Sequence, residues 1–87
     1  MFEIGDSLRE ARQRRSIEFI QVEQATKIRT KYLRALEEEQ FDQLPSPTYV
    51  KGFLQSYAQY LGLDGQLYVA LVAALSLGFY ELVQAFS

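Results

Sequence analysis

Between Pro47 and Gly62 the chain places Tyr49, Val50, Phe53, Leu54, Tyr57, Tyr60 and Leu61 at spacings of three, four and seven, the pattern of one helix. Proline suits a first helical position and glycine the residue just past an end, so both boundaries are marked. At about 100° per residue, Tyr49, Phe53 and Tyr60 fall within roughly 40° of one another. Val50, Leu54 and Leu61 cluster near roughly 100–140°, with Tyr57 between the two sets. The aliphatic arc can face a core. The aromatic arc either packs inside as well or remains outside, where rigid rings make a protein-binding strip. Gly52 in the interior costs about 1 kcal/mol relative to alanine; a close helix crossing or a closely approaching partner would explain it.

The rest of the chain reads as further helices. Ile4, Leu8 and Ala11 predict a first helix over 4–14, ended by Ser16, which can cap the next. Ile17, Phe19, Ile20, Val22 and Ala25 share overlapping helical faces over 17–26, and Thr26-Lys27 suggests a tight corner. Tyr32, Leu33 and Leu36 form the apolar side of a third helix, 29–39. Glu37, Glu38 and Glu39 crowd its carboxyl end, where the macrodipole disfavours anions and the helix should stop or fray. Two prolines make 41–47 a connector, pinned by Phe41 and Leu44, with Ser46 a candidate cap for the fourth helix. Asp64 can cap a last helix that is apolar on most faces from Leu67 to Phe86. Ser76, Gly78, Glu81 and Gln84 interrupt that run, so packing or self-association is expected rather than a membrane span, which needs about 20 apolar residues.

Composition narrows the chemistry. Eighty-seven residues without cysteine, histidine or tryptophan supply no disulfide, no thiol or imidazole nucleophile and no Cys/His metal cluster. The three adjacent glutamates point in different directions on a helix, which is wrong for a catalytic carboxylate pair or a metal cage. No enzyme activity, cofactor or metal is expected. The amino-terminal residues do not resemble a signal peptide. The net charge of −2 hides an asymmetry: residues 1–34 carry eight of the nine Lys/Arg against five acids, while 35–87 carry Lys51 against six. A basic end can meet nucleic acid, anionic lipid or an acidic protein surface, or be a solvated face.

A basic helix, two helices joined by a short corner, and two more helices are the layout of a helix-turn-helix domain. In that layout Arg29, Thr30, Lys31 and Arg34 on the third helix stand nearest to DNA. The segments Leu8-Arg9-Glu10-Ala11-Arg12, Ala25-Thr26-Lys27-Ile28-Arg29, Tyr32-Leu33-Arg34-Ala35-Leu36-Glu37, Phe41-Asp42-Gln43-Leu44-Pro45, Tyr49-Val50-Lys51-Gly52-Phe53-Leu54 and Tyr57-Ala58-Gln59-Tyr60-Leu61-Gly62-Leu63-Asp64 closely resemble the cytoplasmic domain of the RodZ family of bacterial cell-shape proteins. The resemblance covers 4–64. It implies a Cro/repressor-like helix-turn-helix domain over 1–64; with the last apolar helix, 65–87, packed on it or forming a homodimer, the chain is expected to be all-α with five helices. It further implies binding to the actin-like filament protein MreB through Tyr49, Phe53, Tyr57 and Tyr60. It implies a cytoplasmic position at the inner face of the membrane, reached only through segments outside these residues. Lys27 stands where DNA-binding corners usually have glycine, and Glu23 where a small residue is frequent. A DNA-binding regulator using the third helix is the alternative.

Overall fold

In the computed structural model, which describes residues 3–73, every regular element is helical. The order is α1 (Ile4–Arg14), α2 (Phe19–Thr26), α3 (Thr30–Glu37), a single 3-10 turn (Phe41–Gln43), α4 (Pro47–Tyr60) and α5, helical over 65–73. The part of the last-helix expectation that falls on 74–87, with its self-associating role, lies outside the described residues.

Leu8, Val22, Leu33, Leu36, Leu54, Tyr57 and Leu61 form the enclosed centre, so α1 to α4 each contribute to one core. Tyr68 and Val72 of α5 join the same cluster, and Ser7 and Tyr68 share a hydroxyl–hydroxyl hydrogen bond that ties α5 to α1. α2 turns a narrower face inward than its composition suggests. Val22 is buried and Phe19 half-buried, while Ile20 and Ala25 are exposed, because eight residues offer only two turns to the core.

Three helices end in the same way. At Ser16, Glu39 and Gly62 the chain turns left-handed, with φ of 54°, 56° and 79°. The next amide in each case reaches back five residues: Ile17 to the Arg12 carbonyl, Gln40 to Ala35 and Leu63 to Ala58, all within 3.0 Å. These are Schellman ends, which satisfy carbonyls that a helix terminus otherwise leaves open. Only Gly62 is a glycine, the residue that adopts this conformation without steric cost. Ser16 therefore closes α1 and does not cap α2. That cap is Glu18, whose amide donates to Gln21 Oε1 at 2.7 Å. Ser46 occupies the cap position of α4 without a side-chain bond. Asp64 does cap α5, accepting from the Gln66 and Leu67 amides at 3.1 and 3.2 Å.

Gly5 marks where α1 crosses the end of α3. A Cβ there would overlap the Glu37 carbonyl, so the close approach requires glycine.

Candidate protein-docking surface

α4 lies with Val50, Leu54, Tyr57, Ala58 and Leu61 inward. On its opposite side Thr48, Gly52, Ser56 and Gln59 are exposed. Along the flank between these faces run Tyr49, Phe53 and Tyr60. Tyr49 is 49% exposed, and its ring sits 5.2 Å from that of Phe53. Phe53 is half-buried and also meets Tyr32 of α3, at 5.7 Å. The three rings form a continuous ridge across α3 and α4, with tilted geometries that suit aromatic quadrupoles. Tyr60 is half-buried about two turns beyond Phe53 on the same side of the helix.

Tyr57 does not belong to this strip. It has no exposure, and its hydroxyl donates to the Glu37 carboxylate. Its angular position borders the aliphatic arc, and a buried polar partner draws the ring inward. Tyr32, on another helix, takes its place. Pattern analysis of α4 alone cannot find it, although its aromatic type on the apolar side of α3 is a signal.

Glu37 is the hub of the interior. It is 4% exposed; Arg12 grips it through Nε at 2.7 Å and Nη2 at 3.2 Å, and Arg9 Nε lies 3.5 Å away. The Arg12 guanidinium also donates to the Ile17 carbonyl and stacks 4.0 Å from the centre of the Phe19 ring. Its bond to Glu37 raises the Arg12 pKa, with burial opposing. Burial first, then the bond to Glu37, raises the Tyr57 pKa far above the ordinary phenol range. This bidentate, hydrogen-bonded arrangement joins α1, α3 and α4, and a side chain held in this way cannot serve a partner.

Among the residues expected nearest to DNA, Arg29, Lys31 and Arg34 are exposed and Thr30 is half-buried. Lys31 Nζ lies 5.0 Å from the Tyr32 ring centre, and the Arg34 guanidinium 5.4 Å from that of Phe19, so both cations lean on aromatic faces. The amino end of α3, where such folds hold a phosphate, already has an anion: Glu23 Oε1 accepts the Thr30 amide at 2.7 Å. Lys27 forms the corner in the left-handed region, with φ of 65°. Of the other two glutamates, Glu39 accepts the Gly5 amide at the start of α1, at 3.3 Å, and Glu38 is exposed. The described residues hold no metal-binding cluster, and none of their helices is long and apolar enough to cross a membrane.

Residues 7–67 match the helix-turn-helix domain family. The cytoskeleton protein RodZ of Streptococcus pneumoniae is 41% identical over 64 residues, which are 74% of this chain and 23% of that protein. A Bacillus subtilis protein named as the uncharacterized membrane protein YmfM is 50% identical over 40 residues, 46% of this chain and 14% of that protein. The chain thus spans less than a quarter of the length of either relative. No solved structure gives a significant match. With the family match covering residues 7–67 and a RodZ protein aligned over 74% of this chain, the chain belongs to the helix-turn-helix domain family and is of the RodZ-like kind.

Proposed function

We propose that this domain is a protein-interaction module of a cell-shape or cytoskeletal adaptor, and that it docks on the actin-like filament protein MreB through Tyr49, Phe53 and Tyr60 of α4, with Tyr32 of α3. The observation that carries this reading is the half-exposed Tyr49 ring tilted against Phe53. It stands beside an exposed helix face whose only charge is Lys51. Solvated helix faces are normally charged; exposed aromatics with few charges are the composition of interface cores. The likeness to a cytoskeleton protein supports the choice of partner. In a longer protein of this kind, the domain would work on the cytoplasmic side of the membrane.

Alanine at Phe53 or Tyr60 should abolish co-pelleting with polymerised MreB while the helical signal persists. Unchanged pelleting of both variants would reject the assignment. DNA binding through Arg29, Thr30, Lys31 and Arg34 is the weaker reading, because the Glu23 carboxylate occupies the α3 amino end. If DNA were bound through these cations, affinity would fall steeply with salt as counterions are released.

A further inference from the structure

Gly52 has no structural reason within the described molecule. It sits in the middle of α4 with an ordinary helical φ, since Gly62 is the only described glycine with a positive one. A methyl group there would meet nothing within 4 Å beyond its own turn of helix. Alanine would fit and would favour the helix, so no neighbouring helix among the described residues accounts for the glycine. Gly5 makes the contrast, because there the crossing backbone leaves no room for a Cβ.

The surroundings of Gly52 share one character. Thr48 and Ser56, one turn to either side, are short, uncharged and exposed. They make a shallow channel along the outward line of the helix, bordered on one flank by the Tyr49–Phe53 ridge. Beyond the ridge stands Lys31, and on the other flank Lys51. Neither lysine has an ion-pair partner among the described residues. Departures from local helix preference that bring no internal gain are expected where a surface serves a partner.

We infer that Gly52 is the point of closest approach to the docked protein, where a main-chain segment of the partner lies in the channel against α4, flanked by acidic groups that meet Lys31 and Lys51. The aromatic ridge supplies the anchors and the missing Cβ supplies the depth. This inference rests on the docking reading above, and the two fail separately.

The experiment compares the 87-residue chain with its Gly52→Ala, Gly52→Gln and Tyr49→Ala variants, each titrated against polymerised MreB and melted alone. Gly52→Ala should raise Tm by a few degrees and weaken binding severalfold. Gly52→Gln should leave the fold intact and weaken binding at least about tenfold, because a long side chain then fills the channel. Opposite movement of stability and affinity is the signature that a purely structural glycine would not give. Binding of Gly52→Gln within twofold of the parent, with Tyr49→Ala impaired, would overturn the inference and leave the docking reading standing. No binding by the parent chain would overturn both.

Discussion

Removing the Glu37 carboxylate strands the Arg12 guanidinium and the Tyr57 hydroxyl around an empty buried site, while the more exposed Arg9 keeps Asp6. Breaking a buried pair from one side typically costs about 3–5 kcal/mol, a large part of what holds a small domain together. Glu37→Ala should therefore lower the urea midpoint drastically, and a loss below about 1 kcal/mol would mean that the hub is not formed in solution. The Asp6–Arg9 pair lies 3.1 Å apart with both partners substantially exposed, so Asp6→Ala should cost little. Tyr57 adds a pH dependence. Its folded pKa lies above that of a free phenol, so its contribution to stability is complete below about pH 10 and declines as pH rises beyond that, when only the unfolded state releases the proton. Alkaline unfolding curves of Tyr57→Phe should lose this component of the decline. In the sequence Glu37 looks like its neighbours; only the crossing of α1 over α3 separates the buried glutamate from the two exposed ones.

Helix ends decide the accuracy of the elements. Pro47, Gly62 and Asp64 were legible because each residue type suits its end by local geometry alone. At Ser16, Lys27 and Glu39 a break, a corner and a stop were legible but the left-handed conformation was not, since it is locally unfavourable and persists because packing of the joined helices over-determines it. Lys27→Gly, at the α2–α3 corner, should relieve that strain and stabilise by up to about 1 kcal/mol, read as a raised thermal midpoint. A decrease would show that the lysine stem contributes packing of its own. Gly5→Ala should act in the opposite direction, because the Glu37 carbonyl is backbone and cannot move aside; overpacking of this kind costs about 1–3 kcal/mol.

At the scale of the molecule, the charge asymmetry visible in the composition is partly consumed internally. Arg9 and Arg12 turn to Glu37, and Glu23 and Glu39 to helix amino ends. Arg29, Lys31 and Arg34 remain outside, as does the α4 face with its aromatic ridge. Tyr49, Phe53 and Tyr60 could be grouped from angular position alone, whereas Tyr57 lay on the boundary between two arcs and its place was settled by a partner on another helix. Tyr32 could be added only when α3 and α4 were brought together. The most direct test is to map amide chemical shifts of the labelled 87-residue chain during titration with MreB. The account predicts changes concentrated at Tyr32, Tyr49, Gly52, Phe53, Ser56 and Tyr60, with Arg29 and Arg34 unmoved. Changes centred on Arg29 and Arg34, with α4 silent, would contradict it.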